Sequence, residues 1–239
     1  MYKGYNILAT ICARGGSRGV KNKNIRELSG KPLICYSLDL IKKSTYIDSY
    51  IISTDSDDII NVVNNYGFKI HFKRPPELAE DKVSRIDATK HAYMWATEHL
   101  GKFDVIVDLG VSTPLKNEKD MDNCIKLLID KGSSNVFSVS PSYRNPYYNM
   151  VEEKEGKIRL VKDMEKLTDR RDAPEVYDMN DGFNVWFKDS LFSDNPQFHK
   201  DTKIYIMPRE RSIDIDEETD FYMAEFFLKK LMGEQNNGR

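Results

Sequence analysis

The sequence has little of what usually assigns a protein at first sight. Its 239 residues include three cysteines, Cys12, Cys35 and Cys124. Their number is odd and none has metal-ligand spacing, so they read as reduced thiols of a cytoplasmic protein. The four histidines, His71, His91, His99 and His199, are scattered, and no pair has ligand or triad spacing. No apolar run reaches membrane-spanning length. Met1 to Tyr5 is largely polar and the next apolar run is short, so no signal peptide is expected. Charge of neither sign dominates: 36 basic and 38 acidic residues leave a net −2. That balance, with a pI near 6.1, argues against nucleic acid or a membrane surface as the main partner. No internal repeat is visible.

What remains is an ordinary globular composition, 40% hydrophobic and 31% charged. The length suits one well-buried α/β domain over residues 1–239 with a small appendage. The most informative stretch is Cys12-Ala13-Arg14-Gly15-Gly16-Ser17-Arg18-Gly19-Val20-Lys21-Asn22-Lys23-Asn24. It follows an apolar strand-like run, Ile7 to Ile11, and precedes Lys31-Pro32-Leu33, where Pro opens a helical pattern. Three glycines and a serine within five residues expose backbone N–H groups. Arg14, Arg18, Lys21, Lys23 and Arg26 surround them. Converging donors and cations after a first strand suit a polyphosphate. The run fits neither the Walker pattern nor G-x-G-x-x-G. The alternative is a solvated, flexible surface loop.

Further along, Leu33–Ile41 has helical spacing, and Tyr50–Asp55 is a strand. Ser56-Asp57-Asp58 caps a helix reaching Asn65. Phe68–Phe72 is expected to be a short third strand, giving β-α-β-α-β and a doubly wound, mostly parallel sheet. A helix is expected from about Arg85 to Leu100, with Ile86, Thr89, Tyr93 and Ala96 buried. Val105–Leu109 is a nearly all-apolar central strand. A helix from Glu118 to Lys131 and a strand at Val136–Val139 follow. Composition then changes: residues 141–179 are rich in Tyr, Pro and alternating charge. A hairpin is expected around Glu155-Gly156. This segment reads as an inserted β-rich arm, too small for its own core and needing a partner surface, so a homodimer is expected. Phe183–Phe187 and Lys203–Met207 return to strands, and Glu217–Met232 is an amphipathic terminal helix.

Four constellations could carry chemistry. The loop offers Arg14, Gly15, Ser17, Arg18, Lys23 and Asn24, whose cations would neutralise charge on a leaving pyrophosphate. Ser212-Ile213-Asp214-Ile215-Asp216, read as a strand, puts Asp214 and Asp216 on one side, which suits Mg²⁺. The alternative is an acidic N-terminus of the last helix, with Asp216, Glu217 and Glu218 complementing its dipole. Arg74 with Ser84, Arg85 and Asp87 would read a base or ribose, unless they are an exposed Arg and a helix cap. Arg170-Arg171-Asp172 is either an anion site or a solvated charge pair.

Several motifs, in order, resemble the acylneuraminate cytidylyltransferases, the synthetases of CMP-sialic acid and related CMP-nonulosonates. They are the glycine-rich loop with Lys23-Asn24, Gly30-Lys31-Pro32-Leu33-Ile34, Ser53-Thr54-Asp55-Ser56 and Arg74-Pro75-Pro76-Glu77-Leu78-Ala79. Ser112-Thr113-Pro114-Leu115-Lys116, Arg171-Asp172-Ala173-Pro174 and Ser212-Ile213-Asp214-Ile215-Asp216 continue the series. The resemblance implies an α/β nucleotidyltransferase fold and a homodimer whose arms reach the partner's site. It implies CTP, Mg²⁺ and an acidic nine- or eight-carbon keto sugar as reactants, with pyrophosphate released. By position, Arg14, Gly15, Ser17, Arg18, Lys23 and Asn24 would hold the nucleotide, and Arg74 and Ser84 would complete its pocket. Arg14, Lys23, Asp214 and Asp216 would be catalytic, with Asp214 and Asp216 carrying the metal. Ser112, Thr113, Arg170, Arg171 and Asn180 would face the sugar.

Departures from the pattern fall on the sugar side. The family usually shows Gln-Pro-Thr-Ser-Pro-Leu-Arg where Gly110–Lys116 stands, and Asn-Gly where Asn180-Asp181 stands. Gly110 removes a side chain used in the pocket. Asp181 adds a charge expected to repel an acidic sugar. Alternatives are another sugar nucleotidyltransferase, or a nucleotide-binding protein that has lost catalysis.

Overall fold

The computed structural model describes residues 1–16, 19–164 and 169–237. In chain order the elements are β1 (Ile7–Cys12), β2 (Glu27–Leu28), β3 (Lys31–Pro32), α1 (Leu33–Lys43), β4 (Ser49–Ser53) and α2 (Asp57–Asn65). Then come α3 (Arg85–His99), β5 (Val105–Leu109), α4 (Glu118–Lys131), β6 (Asn135–Pro141), β7 (Val151–Lys154) and β8 (Lys157–Leu160). The chain finishes with β9 (Tyr177–Phe187), α5 (Lys188–Leu191), β10 (Lys203–Ile206) and α6 (Glu218–Asn237). Six strands form the central sheet in the order β10-β6-β9-β5-β1-β4. Only β9 runs antiparallel to its neighbours β5 and β6; the other pairings are parallel. The expected α/β architecture, a mostly parallel sheet with flanking helices, is therefore observed.

Local sequence explains the ends of the helices. Ser56 caps α2 by accepting from the Ile59 amide, with Asp57 and Asp58 in the first turn. Asn117 and Asp120 form a reciprocal capping box on α4. β1 and β5 lie at the heart of the sheet, and Ile7, Leu8, Ala9, Ile11, Val105, Ile106, Val107 and Leu109 are fully buried. Continuous apolar runs are what strands covered on both faces require. On α3 the buried residues are Ala88, Thr89, Ala92 and Ala96, while Ile86 and Tyr93 are only partly covered. Small side chains let the helix sit close to β1 and β4. No described helix is long and apolar enough to cross a membrane.

One expected strand is absent. Residues 68–72 are extended but unpaired, and the neighbouring contact is a single bridge between Thr54 and Lys73. The alternation of Phe68, Ile70 and Phe72 serves side-chain packing instead. Phe68 packs edge-on to Tyr50, and Phe72 contacts His91 and Trp95. The arm keeps its expected hairpin, β7 against β8, turning at Glu155-Gly156. It forms a separate two-stranded sheet.

In the first turn of α4, Asp120 is buried and carries four hydrogen bonds. Arg211 donates two, at 2.8 and 3.0 Å, and Tyr205 and the Asn117 amide one each. This pair fastens the segment before α6 to the start of α4. Breaking it leaves a buried carboxylate without its cation. Arg211→Ala should therefore cost about 3 kcal/mol of stability, read from urea denaturation. A matching loss in Asp120→Ala, with strong non-additivity in the double variant, would locate the effect in the pair.

Candidate active site

Parallel strands β1, β4 and β5 deliver their following loops to one edge of the sheet, where ligands of open α/β sheets bind. The glycine-rich loop leaves β1 here. Its Gly15 amide donates to the Asp55 carboxylate just after β4, at 2.9 Å. Asn24 is buried and donates its side-chain amide to the Arg14 carbonyl, at 2.9 Å, which folds the loop over itself. Arg14 points outward to Asp81. Ser17, Arg18 and the side chain of Arg170 lie outside the described residues.

The loop meets the segment before α6. Lys23 is only 16% exposed; its Nζ donates to the Ile215 carbonyl at 2.5 Å and lies 3.2 Å from the Asp216 carboxylate. Lys21, two residues earlier, is exposed. Gly19 is required at this junction, because a Cβ there would overlap the Asp216 carbonyl oxygen. Arg26 adds an ion pair to Glu218 and stacks over Phe221.

Residues 212–216 do not form the strand expected of them. Ile215 donates its amide to the Ser112 carbonyl, and Asp216 and Glu217 donate theirs to the Asp220 carboxylate. Asp214 and Asp216 are consequently unlike each other. Asp214 is largely enclosed: Thr113 donates its hydroxyl to one carboxylate oxygen, and the Asp181 amide donates to both. Burial pushes its pKa up to about 6, against the opposing pull of Thr113, Lys116 and Lys23. Asp216 is 80% exposed and faces Lys23. Asp220, together with Glu218, takes the helix-terminus role expected of the acidic run.

Three other expected binding residues are engaged structurally. Arg74 is buried, its guanidinium donating to the Ser53 hydroxyl and carbonyl. It still lines a surface pocket with Asp55, Pro75 and Glu80. Ser84 caps α3, bonding both the amide and carboxylate of Asp87. Asn180 is bound to Ser138, Gly182 and Ser212. Arg171 is 88% exposed and pairs with Asp169 inside the arm. Cys12 carries no sign of reactivity, since burial pushes its thiol up to about 11.

Four charged residues lie beneath the site, and one of them, Asp108, was not singled out by pattern. Asp108, on β5, is 1% exposed; it accepts from Thr10 at 2.7 Å and pairs with Arg85. Arg85 reaches on to Asp181. Lys116 is buried and donates to Ser37, to the Gly110 carbonyl and to the Thr113 carbonyl. The available signal was Asp108 itself, a lone carboxylate in a fully apolar strand, which needs a buried cation.

Burial pulls the Lys116 pKa down to about 7, with Arg85 adding to the effect. In the unfolded chain an ordinary lysine keeps its proton to about pH 10.4. Between these values the unfolded state binds more protons, so this group makes stability rise with pH. Lys116→Met should abolish that slope. The wild-type advantage in unfolding free energy should grow by about 1 kcal/mol per pH unit from pH 7 to 10, measured as urea midpoints at each pH.

Comparison with known proteins gives the family. The chain is 36% identical over 225 residues to post-translational flagellin modification protein B of Campylobacter coli, covering 94% of this chain and 95% of that one. It is 38% identical over 224 residues to CMP-N,N'-diacetyllegionaminic acid synthase of Campylobacter jejuni, covering 93% and 94%. A solved structure of CMP:2-keto-3-deoxy-manno-octonic acid synthetase with CTP superposes with a TM-score of 0.69. At 12% identity, over 94% of this chain and 99% of that one, it shows the shared fold. The family model described as Cytidylyltransferase matches residues 8–231, and the chain accordingly belongs to the cytidylyltransferase family of nucleotidyltransferases.

Proposed function

We propose that this enzyme transfers CMP from CTP to the anomeric hydroxyl of a nonulosonic keto acid, of the legionaminic type, in the cytoplasm. The observation that carries the reading is the contact of Lys23 with the Ile215 carbonyl and the Asp216 carboxylate, beside Asp214, at the mouth of the glycine-rich loop. The 38% identical relative named for CMP-N,N'-diacetyllegionaminic acid synthesis supports the choice of acceptor.

In this reading the loop amides and Lys23 hold the triphosphate. The sugar hydroxyl attacks the α-phosphorus in line, and the bond to the pyrophosphate oxygen breaks. Lys23 bears on the charge that grows on the departing pyrophosphate. Asp214, fixed by Thr113 and the Asp181 amide, and Asp216, exposed beside Lys23, would together offer hard oxygen donors. They fit Mg²⁺, which takes one or two carboxylates and completes its shell with phosphate oxygens and water. The bound ion would supply charge neutralisation at the phosphates.

The arm supports a homodimer in the same reading. Tyr143, Tyr148, Val151, Ile158 and Met179 are exposed there, more apolar surface than one chain of this arm can cover. Arg144 and Arg171 line one concave face of the arm. They are suited to a partner's sugar carboxylate. Sedimentation should show a dimer at micromolar concentration, and Val151→Asp with Ile158→Asp should yield a monomer. A wild-type monomer would refute the arm's role.

Pyrophosphate release from CTP, Mg²⁺ and a panel of nonulosonic acids tests the activity. The same assay separates the two loop lysines. Lys23→Ala should lose about ten- to hundredfold in rate, the value of one charge-assisted contact, whereas Lys21→Ala should stay near wild type. Release with no acid of the panel would refute the acceptor, and equal losses at both lysines would refute the assigned loop geometry.

A further inference from the structure

The two departures from the family pattern, Gly110 and Asp181, touch each other. A Cβ on Gly110 would overlap both the carbonyl oxygen and the carboxylate of Asp181. The space that a side chain at 110 would enter is thus filled from the facing strand. Gly110 follows β5, Asp181 lies within antiparallel β9, and the Gly110 amide donates to the Gly182 carbonyl between them. Residue 181 brings a carboxylate, and residue 110 has no side chain because none fits beside it.

That carboxylate is not an unbalanced charge. Arg85 pairs with one oxygen of Asp181 and, from its other side, with buried Asp108. Asp108 is in turn held by Thr10. The order Thr10, Asp108, Arg85, Asp181 runs from the middle of the sheet to its active edge. Among the described residues, Arg85 is the one side chain paired with the Asp181 carboxylate. The second oxygen lies over Gly110 and accepts from no described residue. Asp181 is 33% exposed. Its own amide is one of the donors that fix Asp214. An acceptor molecule approaching the Asp214 side therefore meets a fixed, ion-paired carboxylate with a free lone pair. A carboxylate accepts hydrogen bonds and donates none.

We propose that Asp181 is a specificity-determining residue for the acceptor sugar. It selects a keto acid with a hydrogen-bond-donating substituent (an amide N–H, an amine or a hydroxyl) on the side facing Asp214. It discriminates against acceptors that present only a carbonyl or a methyl group there. Gly110 makes room for it, and Arg85 is a positioning residue that keeps the carboxylate aimed. This deepens, and rests on, the reading of the site as a CMP transferase acting on a keto acid.

Two measurements test it. The first needs no substrate: unfolding of Gly110→Gln, Asp181→Gly and the double variant in urea. The carbonyl of residue 181 crowds position 110 in either background, so Gly110→Gln should shift the midpoint in both, but by less beside Asp181→Gly, where the carboxylate is gone. Additive shifts overturn the pairing. The second is steady-state kinetics of Asp181→Asn, which keeps size and removes charge. Acceptor kcat/KM should fall at least tenfold for keto acids bearing an amine or amide N–H, with much smaller losses for deoxy analogues. The KM for CTP should stay within about twofold, because the variant keeps the backbone amide that fixes Asp214. Equal losses across all acceptors, or no loss, overturn the selectivity. If the wild type releases no pyrophosphate with any keto acid, the functional reading fails and the selectivity claim falls with it. The unfolding cycle still decides the Gly110–Asp181 pairing.

Discussion

One ammonium group joins the beginning of the chain to its end. Lys23, on the loop after β1, hydrogen-bonds the Ile215 carbonyl, nearly the whole sequence away. Gly19 lies against Asp216 beside it, and Arg26 pairs with Glu218 one step further on. Neither segment is regular secondary structure, so neither has a ladder to hold it. Without these contacts the glycine-rich loop and the acidic segment would each be a surface excursion. With them, the glycine-rich loop and the carboxylates of Asp214 and Asp216 share one edge of the sheet. The entropy of closing so long a loop has already been met by the folding of the sheet beneath.

That sheet supplies a polar floor as well as an apolar core. Lys116, Asp108, Arg85 and Asp120 with Arg211 are charged groups sitting where hydrophobic residues would cost less. Buried pairs add little stability over apolar packing, and they are demanding in geometry. Here each one reaches a loop that carries a site residue. Lys116 gathers the Gly110 and Thr113 carbonyls; Arg211 anchors the approach to Asp214; Arg85 holds Asp181. Rigidity under an active edge is what such networks provide when every member has its partner.

Much of this was legible in the sequence. The glycine-rich loop after β1, the helix cap at Ser56, the all-apolar β5 and the arm hairpin are local patterns, and each was found where the residues predicted. Asp214 and Asp216 were legible as a pair but not as unequal members, because their difference depends on Thr113 and Asp181 approaching from elsewhere. Phe68 to Phe72 misled because an alternation that serves an aromatic cluster looks the same as one that serves a strand. Ser84 and Asn180 carry side chains that suit a ligand and a backbone equally well, and only the fold decides which they meet. Asp181 was read as a repulsive charge because its cation, Arg85, is remote in sequence and adjacent only across the sheet.

The strand β9 is eleven residues long, from Tyr177 at the root of the arm to Phe187 in the core, and its pairing with β6 is irregular between Met179 and Asn184. It passes through Asn180 and Asp181 on the way. An arm joined by a loop would be a tether, free to wander without disturbing what it is tied to. An arm joined by a strand is coupled to the sheet. Its inner end is clamped between β5 and β6, and Trp186 is buried against Ile106 and Leu191. Between that clamp and the arm the pairing with β6 is irregular, and there lies the Asp181 amide that grips Asp214. Whatever settles on the arm therefore acts on that carboxylate through the irregular stretch of β9.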